Sequence, residues 1–283
     1  METVIISIIT AAITALLTTL IKSYVDRLNY KNKLQKDLEF EQQRAVKNTI
    51  SKYKGHLIDS IGTLHNRLKY LARKEGYAKL NIGNIDKDDQ ILKSTIYRFL
   101  SSFAWMHLIK KEIIHFDPTK AHEEDLVMMK FLRILPLPFQ DKDLESNMSR
   151  TFNKKSLIPS NTFEEMYKWM IEEKEIVGYS LFLQEYDENL HLFEPLQEYL
   201  INLKPENETT RWDRLFTFHL IIMSFLNRFG YDFQHNSEAS VKKYIMRQGQ
   251  YGMFKNIYKH LIQKFKLNKV EEVKIMLKIA NSF

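Results

Sequence analysis

Nine histidines have the widest chemical range of any side chain in this sequence: His56, His65, His107, His115, His122, His191, His219, His235 and His260. None stands in an HExxH, and no glycine-rich phosphate loop, G-x-S-x-G elbow or EF-hand loop occurs. The absence of cysteine excludes disulfides, thiolate metal sites and a Cys nucleophile, and it fits a reducing compartment. His122-Glu123-Glu124-Asp125 gathers ligand-capable groups, but acids at a helix start answer the positive end of the macrodipole. No metal and no cofactor are expected. Arg214 and His219 form an R-x4-H spacing, and Arg228 and His235 an R-x6-H, spacings short enough to recur by chance. On one regular helix Arg214 and His219 lie about 140° apart. They share a site only across a dimer or a helix break. The structural alternative puts Phe216, His219, Leu220 and Met223 on an inward face, with Arg211, Asp213 and Arg214 at a solvated helix start.

Positive charge is the second chemical resource. The net charge is +7, and Lys242, Lys243, Arg247, Lys255 and Lys259 lead a basic stretch interleaved with Tyr244, Tyr251, Phe254 and Tyr258. Such a pattern serves nucleic-acid phosphates or anionic lipid headgroups, and it also describes an ordinary solvated helical face. Trp105, Trp169 and Trp212 sit in apolar helical patterns and read as core.

The elements that carry these residues are helical. With 8 Gly and 6 Pro in 283 residues, the chain lacks the turn residues of an all-β fold. Leu57, Ile58, Ile61, Leu64, Leu68 and Leu71 keep three-and-four spacing. Further helices are expected at about 88–113, 121–134, from 160, and at 176–186, 190–203, 209–230, 238–248, 251–266 and 269–281. Residues 77–88 and 139–158 read as loops, and no alternation is long enough for a sheet. The expected fold is all-α: one N-terminal transmembrane helix (1–21), a helical stalk (22–54) and a multi-helix cytosolic domain (55–283).

The anchor rests on an uncharged run from Thr3 to Ile21, about 19 residues and nearly 30 Å of helix, enough to cross a bilayer core. A secretory signal fits poorly, because Met1-Glu2 carries no basic residue. Lys22, Arg27, Lys31, Lys33 and Lys36 on the C-terminal flank place the rest of the chain in the cytoplasm. The run is two-sided. Thr3, Ser7, Thr10, Ala11, Thr14, Ala15, Thr18 and Thr19 fill one arc, and Ile5, Ile6, Ile9, Ile13, Leu16, Leu17 and Leu20 the other; Val4, Ile8 and Ile21 break the pattern only in part. A small, hydroxyl-rich face suits helix–helix association and therefore a homo-oligomer. A water-lined pore and a plain anchor are the alternatives.

The stretches KGHLIDSIGTLHNRLKYL, STIYRFLSSFAWMHLIKKEIIHFD, FEEMYKWMIEEKEIVGYSLFLQEY and RWDRLFTFHLIIMSFLNRFGYDF, behind an anchor and stalk, resemble bacterial single-span membrane proteins with a helical cytosolic domain. The layout is also similar to the membrane-anchored HEPN-like accessory proteins of type VI CRISPR systems. That resemblance implies a bacterial inner-membrane location and a pore-forming role in antiviral defence. It gives Arg214 and His219 a meaning too, since in HEPN nucleases an Arg and a His of this spacing act on an RNA phosphodiester. The expectation is a protein that oligomerises and perturbs the membrane in phage defence, triggered by a phage or defence-system protein. The alternatives are a membrane-tethered HEPN-like ribonuclease using Arg214 and His219, and a tethered binding module for a protein or nucleic acid, the nucleic acid being the less favoured partner.

Overall fold

The apolar run and the charged run after it form a single helix, α1 (Glu2–Leu71), whose 70 residues extend about 105 Å. The computed structural model describes residues 1–114, 121–146, 156–204, 209–247 and 253–282, apart from the side chains of 2–4, 12, 82–89, 145, 146 and 209. From Ile5 to Leu38 every described side chain of α1 is exposed. Packing begins at Val46 and continues through Ile50, Tyr53, Leu57, Ile61, Leu64, Leu68 and Leu71, all buried. Steps of three and four residues align these side chains in one stripe that faces the rest of the protein. The stripe starts nine residues before Gly55, inside the span read from sequence as stalk. The helix crosses Gly55 without a break.

The chain reverses through α2 (Lys74–Tyr77) and a 3-10 turn, Ala78–Leu80, then enters α3 (Ile82–Ile113). The 77–88 loop expected from its polar composition is thus helical. Gly76 sits where the reversal is tightest, with the Tyr70 carbonyl in the space a Cβ would occupy. α3 runs back along α1. Arg67 donates to Ser94 (2.9 Å), Ser60 pairs with Ser102 (3.0 Å) and Tyr53 donates to Glu112 (2.9 Å). His56 stacks on Trp105 at 4.7 Å in the same register.

The remaining elements are α4 (Glu123–Ile134), α5 (Leu137–Gln140), α6 (Asp143–Ser146), α7 (Ser160–Trp169), α8 (Tyr179–Glu185), α9 (Leu190–Leu200), α10 (Thr209–Phe229), α11 (Glu238–Arg247), α12 (Phe254–Lys264) and α13 (Glu271–Asn281). A two-residue ribbon, β1 (Ile171–Glu172) against β2 (Glu175–Ile176), turns through Glu173 and Lys174 in the left-handed region. Part of the 139–158 stretch read as loop is the short turns α5 and α6.

α10 is the centre of the head. Every residue from Arg211 to Leu226 is buried, so this stretch of the helix has no solvent face. It runs antiparallel to α1, with His219 beside His65 and Lys54 5.3 Å above the Phe229 ring. Phe218 packs on Phe99, Phe103 and Phe139 with ring centroids 5.5, 5.7 and 4.9 Å away, an aromatic cluster that ties α3, α5 and α10 together. On the far side Thr217 donates to the Phe254 carbonyl (3.0 Å) and Ser224 pairs with Tyr258 (2.7 Å), fastening α12.

Candidate functional site

The exposed N-terminal part of α1 is long and apolar enough to span a membrane: an 18-residue window has mean hydropathy 2.0 and none of it is buried. Ser7, Thr10, Ala11, Thr14, Ala15, Thr18 and Thr19 line one shallow, open groove along it. Thr3, placed on the same arc by sequence, has its side chain outside the described residues. The threonine hydroxyls turn inward. Thr10, Thr14, Thr18 and Thr19 donate to the carbonyls of Ile6, Thr10, Thr14 and Ala15 at 2.7–2.8 Å. Each donor is therefore satisfied within its own helix. These four threonines need no water to satisfy their donors, and the small side chains of the face let another helix come close.

Arg214 and His219 are both buried, and their side chains serve different neighbours. Arg214 Nη1 donates to the Pro138 carbonyl (2.7 Å) and the Asp141 carbonyl (3.1 Å), and Nη2 also donates to Asp141 (3.1 Å). Arg211 Nη1 reaches the carbonyls of Glu198, Tyr199 and Ile201 at 2.8, 3.0 and 3.3 Å. The two guanidinium groups thus occupy the C-terminal ends of α5 and α9, where helices leave carbonyls without partners. The start of α10, expected to be solvated, is instead among its most buried parts: Arg211, Asp213 and Arg214 are 4%, 3% and 0% exposed. A five-donor fork that can satisfy several carbonyls makes burial of an arginine tolerable.

His219 joins a buried polar chain. Its Nδ1 bonds the Tyr244 hydroxyl, and its Nε2 bonds His65 Nδ1 at 2.8 Å. One tautomer set satisfies every member. Tyr244 O–H donates to His219, His219 Nε2–H donates to His65, and His65 faces the Asn236 side chain. Burial holds His65 down at about 4, with Lys69 adding to the effect, and burial pushes His219 well down and Tyr244 well up. The chain links α1, α10 and α11.

The basic residues divide. Lys243 and Arg247 of α11 converge with Lys69 and Arg73, at the end of α1, on a cleft of about 220 Å³ that Ser240, Ala72, Met223 and Tyr244 complete. Lys242 is exposed beside it, and Lys255 and Lys259 stand on α12 and do not line it. Tyr244, Phe254 and Tyr258 are buried and offer no stacking row for bases, while Tyr251 lies outside the described residues. Lys69 and Arg73 escaped the sequence reading because they stand some 170 residues from α11. Their weak signal was two cations at the end of an apolar helical stripe. Trp212 is buried, and Trp105 and Trp169 are partly buried against the core. Among the described residues no three His, Asp or Glu side chains converge as metal ligands. No protein-family model, no curated protein and no solved structure matches the chain.

Proposed function

We propose that this protein is a single-pass inner-membrane protein that self-associates through the groove of its anchor and, on assembly, perturbs the bilayer. The observation that carries the reading is the anchor's two-sidedness. Ser7, Ala11, Ala15 and the internally bonded Thr10, Thr14, Thr18 and Thr19 form a shallow, close-packing face. An anchor facing only lipid has no need of such a face. Lys22, Arg27, Lys31, Lys33 and Lys36 support a cytoplasmic head. The mostly exposed helix from Ile21 to Val46 holds that head about 37 Å from the end of the apolar segment. The resemblance to membrane-anchored accessory proteins of type VI CRISPR systems supports antiviral defence as the setting, with a phage or defence-system protein as trigger.

The test replaces Ala11 and Ala15 together by Leu, which fills the groove without making the helix less apolar. Oligomer size in detergent should fall, and membrane depolarisation on expression in cells should be lost. Unchanged values of both remove the reading.

A further inference from the structure

We propose that the cleft between the end of α1 and α11 binds a small phosphate-bearing molecule, gripped by Lys69, Arg73, Lys243 and Arg247. On α11, Ser240, Lys243, Tyr244 and Arg247 fall at i, i+3, i+4 and i+7 and so share one face. On α1, Lys69 lies in the last turn, and Arg73 comes in extended backbone immediately after the Ala72 cap. The two sets line the same cleft, to which the buried Tyr244 and Met223 also contribute. None of the four cations forms an ion pair with a described acidic side chain. One basic residue in a last turn is enough to answer a helix C-terminus. Four converging on one concavity repel one another until an anion joins them. Arginine and lysine together suit phosphoryl oxygens, the arginines by paired N–H donors and the lysines as point charges. A volume of about 220 Å³ admits one or two phosphoryl groups and not a folded macromolecule.

The source of the phosphate is a soluble molecule. Lys69 stands 48 residues beyond Ile21, about 72 Å along α1, and a 40° tilt still leaves the cleft at a height of roughly 55 Å above the end of the apolar segment. Lipid headgroups are out of reach at that height. Single-stranded nucleic acid needs aromatic platforms beside its cations, and the aromatic residues here are buried. The proposal does not rest on self-association, because the cleft belongs wholly to one chain. Its ligand joins the end of α1 to α11 and so tightens the head.

The experiment titrates inorganic pyrophosphate into the full chain in nonionic detergent at physiological ionic strength, by calorimetry and by thermal unfolding. Saturable binding and a higher Tm are expected. The exposed pairs Lys69→Gln/Arg73→Gln and Lys243→Gln/Arg247→Gln should each weaken binding about tenfold or more, the loss of one or two charge-assisted hydrogen bonds. Lys255→Gln/Lys259→Gln should leave it unchanged. Absence of saturable binding overturns the proposal, as does equal weakening by the Lys255/Lys259 pair. Two parallel arms decide the source. Binding seen only in nanodiscs containing anionic lipid assigns the cations to headgroups, and an RNA oligonucleotide that binds more tightly than pyrophosphate and depends on Lys255 and Lys259 assigns them to nucleic acid. Either result overturns the proposal.

Discussion

Arg214 spends its donors on the carbonyls of Pro138 and Asp141, so its removal opens a cavity and orphans buried acceptors together. Arg214→Ala should cost about 2–5 kcal/mol, read as a fall in Tm of the full chain. Arg214→Lys should not restore it, because one ammonium cannot reproduce the planar fork. The ribonuclease reading makes a separate demand: Arg214→Ala and His219→Ala would abolish RNA cleavage in chains that still fold. The histidine pair predicts a pH dependence. Folding holds His65 neutral down to about 4 from its ordinary 6.5, so below 6.5 the unfolded chain takes up a proton that the native chain refuses. The stabilisation is complete above pH 6.5 and is lost as pH falls from 6.5 to 4, on the order of 3 kcal/mol for His65, with His219 acting in the same direction. Thermal unfolding between pH 7.5 and 4.5 should show this decline, and His65→Gln should flatten it. A Tm independent of pH across that window would contradict the buried neutral pair.

At the scale of elements, the head depends on the reversal between α1 and α3. The turn closes so tightly that a Cβ at Gly76 would strike the backbone of Tyr70 and Leu71, which cannot rotate away as a side chain can. Gly76→Ala should therefore cost about 1–3 kcal/mol, measurable as a lower Tm, whereas Gly178→Ala meets nothing within 4 Å and should be near neutral. The apolar N-terminal run of α1 is an element of another kind. Thr10, Thr14, Thr18 and Thr19 have no unsatisfied donors to offer across a seam. Filling the groove at Ala11 and Ala15 should thus disturb association more than Thr14→Val, which keeps the shape and removes the hydroxyl. Oligomer size in detergent compares the two.

For the molecule as a whole, the exposed stretch from Ile5 to Leu38 contributes nothing to the core that begins at Val46. Removing residues 1–38 should leave a soluble, monomeric head. Its Tm should stay within about 2 °C of the full chain, the scale of 1 kcal/mol for a domain of this size. A head that aggregates or melts far lower would show that α1 stabilises it from outside the packed stripe. The same geometry separates the two activities proposed here. Self-association of the N-terminal run would take place in the bilayer, and the cleft lies about 72 Å along the same helix.

Periodicity and composition alone determined that the chain is helical, that the run from Thr3 to Ile21 is uncharged and two-sided, and where helices such as Leu190–Leu200 and Thr209–Phe229 fall. These properties are local, written in the spacing of apolar residues along one helix. Whether a charged residue faces solvent is not local. Arg211, Asp213 and Arg214 look like a solvated helix start in sequence, yet α10 is enclosed on every side, and the open carbonyls of α5 and α9 take up its arginines. The joining of Lys69 and Arg73 to Lys243 and Arg247, and of His65 to His219 and Tyr244, was likewise decided only in the tertiary structure. Helices distant in the chain come together there because α10 must bury its whole circumference, and no spacing within one segment records which partner does the burying.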